Sequence, residues 1–378
     1  MRYEQPDLNK GNDQDNELLN TPAFADKYGR TYIYMRRLMA IWAGKLLTAA
    51  GRLAGKKSSA SPGAVALKLC PTLIDDVNKR VRRKVIVTCG TNGKTTTNNL
   101  MCSALEAKGY KVLCNRLGAN MTSGIATAYV QAADIFGRLS VDYACLEIDE
   151  AYTPIVFKRI KPDIMIITNL FRDQLDRYGE IDITIDILKR AIAEAGRVKT
   201  VLNADDPLCV QFGREENADP VYYGISEKVL PQTDDTKEGR FCPICGEELD
   251  FNFYHYSHLG DYRCPKCGYS RPAPEYDVRN ISLKTPMRFT INGEPMEVNY
   301  KGFYNIYNLA AVYAALDAAG ESTDDFERVL ESYKPQIGRM QEFSFNKPVI
   351  LSLSKNSAGF NEAIATVNTD DRKKDVII

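Results

Sequence analysis

The sequence lacks any run of about 18 uncharged apolar residues, which excludes a bilayer-spanning helix. It also lacks a signal peptide with a cleavage site, so a cytoplasmic protein is expected. No charge excess exists: 49 Lys and Arg balance 49 Asp and Glu, and the whole-chain charge argues for no partner. Histidine is scarce, at two residues; cysteine is not, at ten. Ten cysteines would signal disulfides in a small secreted chain, whereas in a cytoplasmic chain of 378 residues they point to thiols and metal ligation. With 44% hydrophobic and 26% charged residues, the chain can bury two or three cored domains.

Charge is unevenly placed. Residues 26–57 contain Lys27, Arg30, Arg36, Arg37, Lys45, Arg52, Lys56 and Lys57 against the single acid Asp26. Residues 1–30 are polar, rich in Asn, Asp and Gln, and read as a mobile tail. In the next segment, 31–80, apolar residues between Thr31 and Ala54 recur mostly at spacings of three and four, which predicts an amphipathic helix with a basic polar face. Such a helix suits an anionic membrane surface, and equally suits packing on the next domain with its Lys and Arg solvated. "GKKSSASPG" ends it.

Over 81–343, short Val- and Ile-rich runs alternate with helical stretches: "KVIVTC", "KVLCN", "YACLEI", "DIMIITN" and "KTVLNA", with helices over 95–108, near 183–195 and over 306–319. This pattern predicts a mostly parallel sheet with helices on both faces and ligands at the carboxyl ends of its strands. A Cys-rich insert at 227–275 interrupts the rhythm. A final segment, 344–378, reads as strand, helix around 361–366, and strand at "KKDVII". Under 40 residues cannot bury a core alone, so either a third domain is cut short or something else completes it.

Gly90-Thr91-Asn92-Gly93-Lys94-Thr95 follows a strand and opens a helix, as a phosphate-cradling loop does, although Thr88 stands where GxxxxGK[ST] has its first Gly. Backbone N–H groups and the helix N-terminus would hold phosphate, Lys94 would neutralise it, and Thr95 would bind Mg2+. Cys242-Pro-Ile-Cys245 and Cys264-Pro-Lys-Cys267 form two knuckles whose four thiolates suit tetrahedral Zn2+. No position is left for a catalytic water, so the zinc is expected to be structural. His255 and His258 lie between the knuckles and read as surface or packing residues, since four cysteines saturate the metal. The insert's basic residues are few, chiefly Arg263, Lys266 and Arg271, so no nucleic acid is expected as partner. Cys70, Cys89, Cys102, Cys114, Cys145 and Cys209 read as core, and Lys189 as part of a solvated helix face.

The wording "GTNGKTT" resembles the Mur ligase family of ATP-dependent peptide ligases, and the resemblance continues in order along residues 84–343. Glu147 in "YACLEIDEA" ends a strand where that family places a magnesium-binding glutamate. "TNLFRDQLDRYGE" resembles the N-x-x-x-D-H-L-D-R-Y segment, and "LNADDP" matches a strand-end signature. "GFYNIYNLAAVYAAL" resembles the G-x-H-N-x-x-N-x-x-A-A element, and "GRMQEF" the G-R-x-E element. The likeness implies nucleotide binding by Gly90 through Thr96, by Asn305, by Asn308 at adenine, and by Arg339 at the phosphates. It implies magnesium on Thr95, Glu147 and Gln174, and catalysis by Lys94, Glu147, Asp173 and Arg339, with Asp173 orienting a metal water or the acceptor. Gln174 and Tyr304 replace family histidines, and Ser352 through Ser357 replace a D-Y-A-H-N-P motif.

About 80 residues before the loop cannot form the complete UDP-binding domain of the cytoplasmic peptide ligases. With the cysteine insert, this resembles the MurT branch of the family. The branch implies an α/β fold: a Mur ligase-like P-loop central domain with a parallel sheet, an inserted four-cysteine zinc ribbon, and the start of a C-terminal Rossmann-like α/β domain. It implies ATP, Mg2+ and structural Zn2+ as cofactors, and amidation of the D-glutamate α-carboxylate of lipid II through an acyl phosphate. Ammonia would come from a GatD-like glutamine amidotransferase subunit, in a heterodimer placed in the cytoplasm or peripherally at the inner face of the membrane. The alternatives are an amino-acid-adding ligase of the Mur or folylpolyglutamate type, and a catalytically silent nucleotide-binding scaffold. The branch also implies a catalytic acid and an amidotransferase-docking surface in the C-terminal domain, so residues 1–378 by themselves are expected to bind nucleotide and zinc without full amidation activity.

Overall fold

The computed structural model describes residues 29–55, 59–116, 118–172, 181–230, 239–299, 301–332, 341–344, 348–354, 356–368 and 373–377. Residues 1–28 of the polar tail expected over 1–30, and the candidate residues Asp173, Gln174 and Arg339, lie outside them, whereas Arg30 already begins a helix.

The helices are α1 (Arg30–Leu53), α2 (Ser61–Leu69), α3 (Val77–Arg80), α4 (Lys94–Ala107), α5 (Thr122–Ala132), α6 (Thr153–Phe157), α7 (Ile181–Ala195), α8 (Pro207–Val210), α9 (Tyr304–Ala318), α10 (Phe326–Ser332) and α11 (Ser357–Asn368). The strands are β1 (Val81–Cys89), β2 (Val112–Cys114), β3 (Val141–Glu147), β4 (Ile164–Ile167), β5 (Val198–Asn203), β6 (Ala218–Ile225), β7 (Asp250–Tyr256), β8 (Leu259–Arg263), β9 (Tyr276–Ser282), β10 (Met287–Ile291), β11 (Glu294–Val298), β12 (Gln341–Ser344) and β13 (Pro348–Leu351). Nine of them form one sheet in the order β11-β10-β9-β6-β5-β4-β1-β3-β2. Pairing is parallel from β2 through β9 and antiparallel across β9, β10 and β11.

Strand β1 shows why this sequence is a central strand. Val85 and Val87 point into one core with α2, α5 and α7, while Ile86 points into a second core with α4 and α9. Alternate side chains therefore bury on opposite faces, so the strand is apolar throughout rather than alternating. Helix α2 approaches α5 closely at Gly63, where a Cβ would lie 2.0 Å from the Ser123 carbonyl oxygen. Only glycine permits that contact.

Helix α1 turns a narrow face inward, on which Ala40, Ile41, Gly44 and Thr48 are buried. Its larger apolar residues Met39, Trp42, Leu46 and Leu53 face solvent. Among the described residues no helix is long and apolar enough to cross a membrane.

The Cys-rich insert lies between β6 and β9, with β7 and β8 as its antiparallel hairpin and a small core of its own around Leu249, Tyr262 and Tyr269. Two expectations are corrected here. Cys102 and Cys114, read as separate core thiols, are joined as a disulfide between α4 and β2, which the parallel sheet brings side by side. "KKDVII" forms no strand over its described residues 373–377; β13 pairs instead with β12, immediately before it in the chain.

Candidate active site and metal centre

Strand order reverses direction at β1, between β3 and β4, and the loop after β1 opens at that crevice. Gly90 and Gly93 adopt φ of 115° and 86°, a region that admits side chains poorly. At Gly93 a Cβ would also meet Asn308 Oδ1 at 2.2 Å, so α9 presses directly on the loop. Among the described residues no side chain caps α4, which leaves its first N–H groups for an anion.

The loop is held from the β4 side. Asn169 accepts the Thr91 N–H through its carbonyl, at 2.8 Å, and the Asn92 N–H through its side chain, also at 2.8 Å. Thr168 donates to the Asn92 carbonyl, and Thr91 donates its hydroxyl to the Phe171 carbonyl. From the C-terminal segment, Asn356 exchanges side-chain amide bonds with Asn92. Asn308 is buried, accepting from the Thr97 hydroxyl and donating to Asn305.

Lys94 folds back over the loop, donating to the Gly90 carbonyl and lying 3.1 and 3.3 Å from the two Glu150 oxygens. Glu150 Oε1 also accepts the Gly90 N–H at 2.6 Å. Burial disfavours the Lys94 ammonium, but Glu150 and Glu147 outweigh it and hold its pKa above the ordinary value. Burial likewise pushes the Glu150 carboxyl up, against the lowering effect of Lys94.

Glu147 ends β3 as a buried carboxylate. Asn120 donates to its Oε1 at 3.3 Å, while Oε2 has no partner among the described residues. Thr95 Oγ1 and this oxygen both lie near Gly118: a Cβ there would be 3.7 Å from the first and 3.9 Å from the second. A buried carboxylate oxygen beside a hydroxyl, both hard donors, fits Mg2+.

Gly90, Thr91, Asn92, Gly93, Lys94, Thr95, Thr96, Glu147, Asn305 and Asn308, expected at one site, lie together in the fold. Glu150, Asn169 and Asn356, which the motifs did not single out, join them. For Glu150 a signal was present: it lies three residues beyond Glu147 at a strand's carboxyl end, where ligands bind.

The four knuckle sulfurs lie within 4.8 Å of one another, with Cys242–Cys267 and Cys245–Cys264 each at 3.5 Å. A tetrahedral zinc with bonds of about 2.3 Å needs sulfurs at such spacing. Gly246 and Gly268, at φ 73° and 75°, close the two turns. Burial would raise the Cys264 thiol, but the backbone N–H donors of Cys267 and Lys266 outweigh it and bring it down to about 7. Burial pushes Cys242 up to about 12.

The two histidines are not on the surface. His258 is fully buried, with Nε2 3.2 Å from Asp206 Oδ1 and its ring 4.9 Å from that of Phe171. Asp206 in turn accepts the Leu170 N–H at 2.8 Å. Neighbouring Asp205 receives Arg271 at 2.6 Å, Tyr307 at 2.8 Å and the Ile225 N–H at 2.9 Å. The ribbon is therefore tied through buried polar bonds to the segment 168–171 that holds the loop. Lys189 stays on a solvated face, 3.8 Å from Glu215.

Residues 87–262 match the Mur ligase middle domain. The chain is 34% identical over 333 residues to the lipid II isoglutaminyl synthase (glutamine-hydrolyzing) subunit MurT of Staphylococcus aureus, covering 88% of this chain and 74% of that one. This chain belongs to the Mur ligase family, in its MurT branch. The MurT of Streptococcus pneumoniae is 33% identical over 338 residues, covering 85% of this chain and 74% of its own length. Among solved structures, a pseudomurein peptide ligase type C from Methanothermus fervidus superposes with a TM-score of 0.63 at 27% identity over 79% of this Mur ligase chain, which spans 61% of that structure. MurF from Acinetobacter baumannii, at 15% identity and a TM-score of 0.58, shares the Mur ligase fold over 81% of this chain and 58% of its own.

Proposed function

We propose that this protein is the ligase subunit of a lipid II isoglutaminyl synthase, converting the D-glutamate α-carboxylate of lipid II to the amide. The observation that carries the reading is the match to MurT subunits along 88% of the chain, together with a glycine-bounded loop that opens α4 with Lys94 at its end. The Mur ligase fold implies use of ATP and Mg2+.

The phosphates of ATP rest on the N–H groups that open α4, with Lys94 leaving Glu150 to neutralise them. Thr95 and Glu147 would hold Mg2+, which would neutralise charge on the transferring phosphoryl group. Asn308 and Asn305 flank the loop on the nucleotide side, and Asp173, Gln174 and Arg339 join the phosphate and metal set. The acceptor carboxylate takes the γ-phosphoryl group, releasing ADP. Ammonia from a GatD-like glutamine amidotransferase partner then attacks the acyl carbon, phosphate departs, and one proton is lost. Zinc in the four-cysteine ribbon is structural. The acceptor is lipid-linked, so the enzyme acts peripherally at the inner face of the membrane.

The likeness to a pseudomurein peptide ligase favours a second reading, in which an amino acid is the nucleophile. One experiment separates the two: lipid II, ATP, glutamine, the candidate amidotransferase and this protein, with and without free amino acids, read by mass spectrometry. Conversion of one carboxylic acid to an amide supports amidation. A product heavier by an amino-acid residue replaces it with the second reading, and ATP binding without either product rejects both.

A further inference from the structure

We infer that α1, with the loop at Ile135 and Phe136, is a docking surface for an anionic lipid bilayer. Soluble helices normally bury their large apolar residues and expose the small or polar ones. Helix α1 buries Ile41 but leaves most of its large apolar residues exposed. Met35, Met39, Trp42, Leu46 and Leu53 are 48%, 51%, 50%, 71% and 91% exposed, and their spacing of three, four or seven puts them on one stripe. The inward face is too small to be exchanged with it: at Gly44 a Cβ would lie 2.8 Å from Val130 and 3.2 Å from the Pro62 carbonyl oxygen.

A second element widens the stripe. Ile135 and Phe136 are 63% and 53% exposed. The Trp42 indole donates to the Ile135 carbonyl at 2.7 Å, and the Tyr34 hydroxyl to the Phe136 carbonyl at 3.0 Å, which fixes the loop beside the helix. The result is a broad apolar surface rather than a narrow helix-pairing seam.

Charge selects the occupant. Seven basic residues and no acid lie between Arg30 and Lys57. Arg37 is engaged by Asp76 and Arg36 by the Leu69 carbonyl, and Lys45 and Arg52 flank the stripe. In the adjoining loop, Asp134 is paired with Arg138. Two copies joined along α1 would set basic flank against basic flank, whereas lipid phosphates complement it. Trp at the centre of a basic-rimmed apolar surface is the composition of an interfacial helix, one that lies in the headgroup layer without spanning. This surface deepens the proposed reaction, from which it takes only the location of a lipid-linked acceptor.

Trp42 is the sole tryptophan, so its fluorescence reports this surface alone. The full-length protein is titrated with vesicles of phosphatidylglycerol and phosphatidylcholine that contain no lipid II. Expected are a blue shift of Trp42 emission, quenching by brominated acyl chains, weaker binding in pure phosphatidylcholine or high salt, and about a tenfold loss of partitioning in Leu46→Glu/Leu53→Glu. MgADP binding by that variant checks its fold. Unchanged Trp42 emission in the wild type overturns the inference, whether or not the protein amidates lipid II. So does a blue shift that tracks protein concentration without lipid and accompanies dimerisation, which would assign the stripe to a second copy. Vesicle binding without amidation would sink the proposed reaction and leave this surface standing.

Discussion

The Lys94 ammonium lies between the two oxygens of Glu150, at 3.1 and 3.3 Å, and the same carboxylate accepts the Gly90 N–H. A side-chain anion thus occupies donors that a nucleotide phosphate needs. Replacing Glu150 by Gln keeps a hydrogen-bond acceptor and removes the competing charge. MgADP is expected to bind about three- to tenfold more tightly, a gain of about 1 kcal/mol. Calorimetric titration decides the point, and weaker binding would show that Glu150 helps to hold nucleotide instead.

Lys94→Ala removes the charge that the phosphates gain. Loss of a donor of this kind costs on the order of 10²–10³ in turnover. Glutamine- and ATP-dependent product formation is the readout, with thermal unfolding to show an intact fold. Activity within tenfold of the parent would exclude Lys94 from the transition-state contacts.

Gly93→Ala tests the pressure of α9 on the loop. The residue sits at φ 86°, and the added methyl would meet Asn308 Oδ1 at 2.2 Å. Nucleotide binding is expected to fall by at least tenfold, given a cost of about 1–3 kcal/mol for a side chain held in such backbone geometry. Pairing it with Asn308→Ala should recover part of the loss; no recovery would mean that the backbone alone carries it.

His258, Asp206 and Leu170 connect the ribbon to the loop. Stripping the metal with a chelator is expected to weaken MgADP binding about fivefold, the size of one buried hydrogen bond. His258→Ala should reproduce that loss with its metal content unchanged. Equal affinity in stripped and loaded protein would make the ribbon an independent module.

His255 predicts a pH dependence. Burial lowers its pKa from the ordinary 6.5, against a raising effect of Asp205. The unfolded chain therefore takes up a proton that the folded one refuses. Stability from this group is fully present above pH 6.5 and is lost as pH falls toward the lowered value. Denaturant unfolding at several pH values should show that slope, and His255→Phe should flatten it while keeping the ring packed against Phe253 and Phe303.

Local chemistry made much of this protein legible in its residues. Val85, Ile86 and Val87 are apolar in succession because both sheet faces are covered, and a buried parallel strand followed by Gly90–Thr95 needs no tertiary information to be read. The knuckles are equally local: Cys242 and Cys245, or Cys264 and Cys267, lie within one turn closed by a glycine. Glu150, His258 and Asn356 are different. Their partners Lys94, Asp206 and Asn92 are 56, 52 and 264 residues away, and no spacing rule connects residues that only sheet order brings together. The same holds for Cys102 and Cys114, whose pairing depends on β2 lying beside α4.

The parallel sheet, the phosphate loop and the four-thiolate cluster are written in the residues, because each is set by periodicity or by contacts within a few positions. Which face of α1 meets solvent follows only from packing. Periodicity marks an apolar stripe but not its direction; the direction follows from the close approach of Gly44 to Val130 and Pro62, which turns Trp42 and Leu46 outward.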